Sequence, residues 1–237
     1  MSQNRPPENI SLYSTPSQDC NYLSDKQSTS VYADPYLPKN MVIYSFLSEH
    51  GFRRSGEHIY RPQCEMCNAC VATRVPVNNF HPNRNQRRTW KQNEDLTIKV
   101  FPAEYRTEHF ELYQRYLSIR HANGGMDDPT PESYMNFLTC SWSETFFFEF
   151  RMKKKLVAVA VVDKLNNALS AVYTFFDPDL SHRSLGKFSI LYTIEYASQS
   201  EMKWLYLGYW IEECQKMKYK QEYQPQEHFK NHQWIKE

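Results

Sequence analysis

The apolar residues of this chain change their period several times, and each change marks an element. In NMVIYSFLSEHGF, which begins at Asn40, Met41, Tyr44 and Leu47 recur at near-helical spacing, and the run stops at Gly51, where a glycine closes a helix. LTIKVFP reads as a short strand. RTEHFELYQRYLSIRH sets Phe110, Tyr113, Tyr116, Leu117 and Arg120 on an amphipathic helix that NGG would end. A loop rich in Gly, Asp and Pro follows, then a second helix around PESYMNFL. TFFFEFRM, LVAVAVVDKL and ALSAVYTFFD are three strands joined by the turns KKK and NN, which predicts an antiparallel meander. SLGKFSILYTIEYASQSEM supplies another helix, and WLYLGYW returns to strand. Residues 1 to about 40 are polar and punctuated by proline, yet Leu12, Tyr13, Tyr22, Leu23, Val31 and Tyr32 are spaced along them, so an irregular but packed segment is expected.

Helix, helix, three-strand meander, helix, strand is the layout of a GNAT-type acyltransferase core. The expected class is α/β, more specifically α+β, with a smaller cysteine-containing N-terminal region over 1–92 and the transferase core over 93–237. A GNAT holds the pyrophosphate of coenzyme A in a Q/RxxGxG/A turn before the last helix. Here the stretch reads RSLGKF: Arg183 and Gly186 are present, but Phe188 replaces the final glycine and would crowd a pyrophosphate. An acyl donor other than acyl-CoA is expected.

Composition narrows the chemistry. In 237 residues there are only six glycines beside seventeen tyrosines and fourteen phenylalanines, and neither GxGxxG nor GxxxxGK[ST] occurs, which argues against nucleoside-triphosphate chemistry. MSQNRPPENISLY has no apolar leader, and LVAVAVV at 156–162 is far shorter than the roughly 20 residues a membrane helix needs. A soluble, cytoplasmic protein is expected, with no membrane partner. There, cysteines are ligands, redox groups or inert thiols rather than a disulfide framework. A net charge of +1 leaves anion binding to a local patch, and RNQRRTWK at 84–91 is one: Arg84, Arg87, Arg88 and Lys91 are cationic, none is acidic, and Trp90 is interleaved for stacking. A solvated basic loop is the plainer reading of the same residues.

Four stretches in order, CEMCNACVATRVPV, QRRTWKQNEDL, FDPDLSHRSLGKFSILYTIEYA and YLGYWIEECQKMKYKQEYQPQE, resemble the aminoacyl-tRNA protein transferases of the N-degron pathway, in particular their bacterial leucyl branch. The resemblance runs from about Leu12 to about His228. It implies transfer of leucine from leucyl-tRNA to the α-amine of proteins beginning with Asp or Glu, marking them for degradation. Arginyl transfer by the same mechanism and a non-catalytic RNA-binding module are the alternatives. The related arginyl enzymes carry a CxxC near the N-terminus and a later CC pair; here DCNYL offers only Cys20, with Leu23 in the second thiol's place. Cys64, Cys67 and Cys70 follow CxxCxxC, and with Cys20 they form a candidate four-thiolate zinc or iron–sulfur site. Buried, inert thiols are the competing reading.

The implied reaction sets the demands on a site. Aminolysis of an activated ester needs no cofactor. An α-amine with a pKa of about 7.7 to 8.0 is partly neutral near pH 7, and positioning alone can supply on the order of 7 to 11 kcal/mol. An acidic acceptor side chain calls for arginine in bidentate geometry, with Arg74 and Arg87 or Arg88 as candidates. A leucyl pocket is expected from Phe175, Phe188, Leu191 and Tyr192; an arginyl donor would need carboxylates there, from Asp177, Glu195 or Glu212. In LGYWIEECQKMKYK, Gly208 would let the backbone approach a ligand, Tyr209 and Trp210 would stack the terminal adenine, and Lys216, Lys218 and Lys220 would meet acceptor-stem phosphates. Glu212 or Tyr209 would relay the amine proton, and backbone N–H groups near residues 185–187 would hold the oxyanion.

Overall fold

A computed structural model describes residues 9–120 and 128–237. The NGG expected to end the long helix lies outside the described residues. The elements are β1 (Leu12–Ser14), β2 (Gln18–Asp19), β3 (Gln27–Ser28), β4 (Ser30–Ala33), α1 (Met41–Glu49), β5 (Arg53–Ser55), β6 (His58–Pro62), β7 (Val71–Pro76), α2 (Arg84–Gln92), β8 (Leu96–Pro102), α3 (Thr107–Arg120), α4 (Pro131–Leu138), β9 (Thr145–Met152), β10 (Lys155–Lys164), β11 (Ala168–Phe176), α5 (Leu185–Gln199), β12 (Trp204–Trp210), β13 (Glu227–Lys230) and β14 (Gln233–Lys236).

The meander forms as its alternation predicts. β8, β9, β10 and β11 pair antiparallel in sequence order, and β12 joins β11 in parallel after the α5 crossover. Side chains on successive residues of β10 leave opposite faces. Ala158, Ala160 and Val162 meet Leu185, Phe188, Leu191 and Ile194 of α5, whereas Val159 and Val161 meet Phe110, Tyr113 and Leu117 of α3 and Tyr134 and Leu138 of α4. Helices cover both faces, which is why β10 reads as an unbroken apolar run. α1 starts at Asn40, whose side chain accepts from the Ile43 amide at 3.0 Å, and its chain reverses through Gly51 at φ +80° as the glycine predicted.

Three features depart from the sequence reading. β7 is inserted between β12 and β13, so a strand from the 1–92 region is part of the eight-stranded mixed sheet. The basic stretch is a helix, α2, fixed by a reciprocal capping box between Asn83 and Gln86. The N-terminal segment is less irregular than expected: β1, β4, β6 and β5 form a four-stranded sheet beside α1.

One buried ion pair ties that small sheet to the large one. Arg54 Nε and Nη2 donate to the two carboxylate oxygens of Asp163 at 2.5 and 2.7 Å, with both side chains at 0% exposure. Thr145 donates to the same carboxylate at 2.7 Å, Tyr44 donates to it at 3.0 Å, and Arg54 also donates to the Leu138 carbonyl at 2.8 Å. Burial opposes the guanidinium's charge, but the Asp163 carboxylate outweighs it and holds the Arg54 pKa above its ordinary value. Removing one partner strands the other charge in an apolar interior, so Asp163→Asn is expected to cost about 3 to 5 kcal/mol, and Arg54→Met a similar amount. Urea unfolding of the two single variants measures it; a loss under about 1 kcal/mol in both would contradict the assignment.

Candidate functional site

β11 and β12 stay in register for only three residues, Ala168 to Ser170 against Trp204 to Tyr206, and then part. β11 continues along β10, and β12 continues along β7 through a register shift between Tyr206 and Gly208. Parting two strands exposes main-chain groups that something must satisfy. Arg53, at the start of β5, reaches into the opening, where its Nη2 donates to the Val172 carbonyl at 2.7 Å. Gly208 faces it at φ +78°, and a Cβ there would overlap the Arg53 guanidinium. Beside them is a cavity of about 10 Å³, room for one water, lined in part by Ser48, Thr73, Ser170 and Tyr206.

A group of tyrosines, thiols and one amine surrounds this opening. The Tyr209 hydroxyl lies 3.0 Å from the Gly51 carbonyl and 3.1 Å from that of Tyr60, and burial pushes its pKa well up. Tyr22 is raised by burial and by Tyr60, against the pull of Arg53. Lys220 is only 4% exposed and donates to the Tyr209 carbonyl at 2.5 Å. Burial, and then the Arg53 charge, hold its amine well below the usual lysine pKa. Burial and the neighbouring Cys64, Cys20, Cys67 and Cys214 push the Cys70 thiol up to about 12. Five of the six cysteines, Cys20, Cys64, Cys67, Cys70 and Cys214, therefore lie close together. Among the described residues, however, no three His, Cys, Asp or Glu side chains are arranged to hold a metal ion. Cys20, Cys64, Cys67 and Cys70 thus do not present a formed metal site, and no chemistry is routed through one.

The structure separates most of the residues that the sequence nominated. Arg74 is committed: its Nε and Nη2 donate to Glu227 at 2.9 and 2.7 Å, and its guanidinium stacks between Trp204 and Trp234, 3.8 and 4.2 Å from the ring centres. Its guanidinium is thus engaged with groups of the protein itself. Trp90 packs on Phe188 and Tyr192 at 5.4 and 6.4 Å, so it stabilises the α2–α5 contact rather than stacking a base. Arg183 is bound to Asp95 and Asn93 and donates to the Gln92 carbonyl. Gly186 lies in the first turn of α5 against Phe176, and Phe188 is buried with Phe150 instead of facing a pyrophosphate. Phe175 and Leu191 are core as well. Trp210 stacks on His228 at 5.0 Å, and Tyr209 is locked by its carbonyls, so neither is presented to an adenine. Glu212 and Lys218 are exposed beyond the end of β12. The alternation of Lys216, Lys218 and Lys220 does not put them on one face, because Lys220 alone is buried.

Of the nominated residues, Gly208, Tyr209 and Lys220 lie at the opening, and Arg87 and Arg88 stand apart from it. With Arg84 and Lys91 they line an open groove along α2. What sequence reasoning missed at the opening is Arg53 and Tyr22; Lys220 was named only as a phosphate contact. The available signal was the glycine inside WLYLGYW, since a glycine in a strand marks a close approach, though nothing in the sequence says what approaches.

A family model described as "Arginine-tRNA-protein transferase, N terminus" matches residues 18–88, and "Arginine-tRNA-protein transferase, C terminus" matches residues 108–230. The chain is 47% identical over 224 residues to the aspartate/glutamate leucyltransferase of Hahella chejuensis, covering 94% of this chain and 96% of that one. It is 48% identical to the protein of the same name from Alcanivorax borkumensis, covering 95% and 93%, and 48% identical to that from Nitrosococcus oceani, covering 95% of each. Among solved structures, L-PGS from Bacillus licheniformis overlaps 60% of this chain and 47% of its own at a TM-score of 0.48 and 10% identity.

The buried amine has a measurable consequence. An unfolded lysine titrates near 10.5 and the folded one well below it, so folding is opposed by proton release at pH values under 10.5, and the cost fades as the pH rises toward that value. Lys220→Met removes the cost and is expected to raise stability at pH 7 by about 1 to 2 kcal/mol, a gain that shrinks toward pH 10. Thermal unfolding across that range checks it, and a variant less stable than the parent at pH 7 would refute it.

Proposed function

We propose the function from one premise: the chain belongs to the arginine-tRNA-protein transferase family, in the branch of the aspartate/glutamate leucyltransferases. It transfers leucine from leucyl-tRNA to the N-terminal α-amine of proteins that begin with Asp or Glu. The observation that carries this reading is identity of 47–48% spread over 94–95% of the chain, with the relatives themselves covered over 93–96% of their length. We read the parted sheet as a GNAT-like acyltransferase core, with the opening between β11 and β12 as the place where donor and acceptor meet.

The reaction breaks the ester between the leucyl carbonyl and the tRNA 3′-terminal ribose and forms a peptide bond. The incoming amine loses a proton and the ribose oxygen gains one. Because the donor is activated and the amine is partly neutral near pH 7, the protein's task is mainly to hold the two in line. Cytoplasm, where charged tRNA is found, is the fitting compartment, and the described residues contain no helix long and apolar enough to cross a membrane. The transferred leucine would mark the acceptor for degradation in the N-degron pathway.

α2 supports a role in holding the tRNA. Arg84, Arg87, Arg88 and Lys91 recur every three or four residues along its exposed side, and no carboxylate pairs with them among the described residues. Such a row suits phosphates, whose contacts supply affinity and salt dependence.

Purified protein with labelled leucyl-tRNA is expected to label peptides starting with Asp or Glu and not those starting with Lys or Ala. Transfer from arginyl-tRNA instead would move the donor assignment, and no transfer despite tRNA binding would overturn the enzyme. Replacing Arg84, Arg87, Arg88 and Lys91 together by Gln is expected to weaken tRNA binding at least about tenfold and to flatten its log–log salt dependence by about 0.7 to 0.9 for each phosphate no longer neutralised. Filter binding between 50 and 200 mM salt, a range over which such neutralisation changes affinity steeply, provides the measurement.

A further inference from the structure

The acidic side chain of the acceptor needs a cation with donors to spare; six of the thirteen arginines are committed to carboxylates, and Arg84, Arg87 and Arg88 stand apart on α2. Arg54 is bound to Asp163, Arg74 to Glu227, Arg106 and Arg151 to Glu149, Arg115 to Asp177 and Arg183 to Asp95. Arg53 differs. Its described partner is a main-chain carbonyl, that of Val172, and no described carboxylate forms an ion pair with it. Its Nε and Nη1 have no hydrogen-bond partner among the described residues, and they are not among the buried polar atoms cut off from solvent.

The surroundings of Arg53 are short of negative charge. The ionisable groups close enough to sense it are Tyr22, Tyr209, Tyr219 and Lys220, and with them Cys70 and Cys214, whose thiols are neutral while protonated. A half-buried guanidinium in such a setting, held at one end by a carbonyl and flanked by a residue without a Cβ, is a pre-positioned anion site. Its place at the mouth of the parted strands is where an amine must arrive to attack an ester bound there. A side-chain carboxylate of Asp or Glu is two or three bonds from the α-carbon that carries that amine, so a cation at the opening would set both the identity and the orientation of the acceptor.

We propose that Arg53 is the acceptor-specificity residue: its guanidinium binds the side-chain carboxylate of the N-terminal Asp or Glu at the opening between β11 and β12. This rests on the transferase reading above and assigns one residue within it. Gly208 is then required because any side chain there would displace the guanidinium from the opening.

The test compares peptides that begin with Asp and with Asn, which differ in charge and little in shape, in the full-length enzyme. The readout is the ratio of kcat/KM for the two, because a ratio is insensitive to the fraction of active protein. The parent is expected to favour Asp strongly. In Arg53→Gln, kcat/KM for the Asp peptide is expected to fall at least about 30-fold, the loss usual when one partner of a charge pair is truncated. The Asp/Asn ratio is expected to collapse toward unity, with the KM for leucyl-tRNA within about twofold of the parent. Arg53→Lys, which keeps the charge but not the fork, should fall between the two. A folded Arg53→Gln that keeps the parental ratio within about threefold overturns the proposal, as does a variant whose defect lies in the leucyl-tRNA KM. Should Arg53→Gln not fold, Arg53→Lys decides alone: an unchanged ratio overturns the assignment and a loss of tenfold or more upholds it. If the parent itself moves no leucine to Asp or Glu peptides, the transferase reading fails, an outcome distinct from any of these.

Discussion

The Arg54–Asp163 pair is the constraint on which the placement of the site depends. It is dry, bidentate and shared with Thr145 and Tyr44, so it joins β5, β9, β10 and α1 at one point. Adjacent residues of a strand point to opposite sides. With Arg54 fixed inward by a carboxylate that cannot leave without stranding a charge, Arg53 must point the other way, toward the gap between β11 and β12. Two consecutive arginines thus divide the work: one anchors the small sheet, and the other is delivered by that anchor to the opening.

The opening itself follows from the sheet's connectivity. β11 and β12 are joined by the α5 crossover, which forces them parallel, and each has a stronger antiparallel neighbour on its far side, β10 or β7. After three paired residues the twist of the two antiparallel partners draws them apart. The Val172 carbonyl would be left without a donor there, and Arg53 supplies one. The same guanidinium repairs the split sheet and charges its mouth, so the local cost of parting the strands and the chemistry of the opening share one solution.

How much of this was legible follows the range of each interaction. The meander, α1, α3, α4, α5 and β12 were readable because period and turn residues are local. β7 was not, because VATRVP is short and its partners, β12 and β13, lie far along the chain. The pairing of Arg74 is hidden for the same reason: its bond to Glu227 spans 153 residues, and no local pattern tells a paired arginine from a free one. Trp90, Tyr209 and Trp210 were chosen as aromatics able to stack on a ligand, but their ring faces and hydroxyls are used by Phe188, by two carbonyls and by His228. The alternation of Lys216, Lys218 and Lys220 misled because the chain there is not a strand but a 3-10 turn, Lys218–Glu222.

Lys220 shows how charge is apportioned at the opening. A buried ammonium beside Arg53 would double the positive charge with no carboxylate paired to either among the described residues, and both burial and Arg53 bias the amine toward its neutral form. The amine can still donate to the Tyr209 carbonyl when neutral, so it braces the end of β12 without adding charge. A site meant for a single carboxylate gains from this arrangement, because one guanidinium matches one negative charge, whereas two cations would favour a dianion such as a phosphate. The row of arginines on α2, exposed and unpaired by carboxylates, has the opposite character and suits the polyanion. The protein therefore keeps its two kinds of cation apart: a single, half-buried, pre-positioned one where the acceptor must be recognised, and several solvated ones where a tRNA backbone can lie.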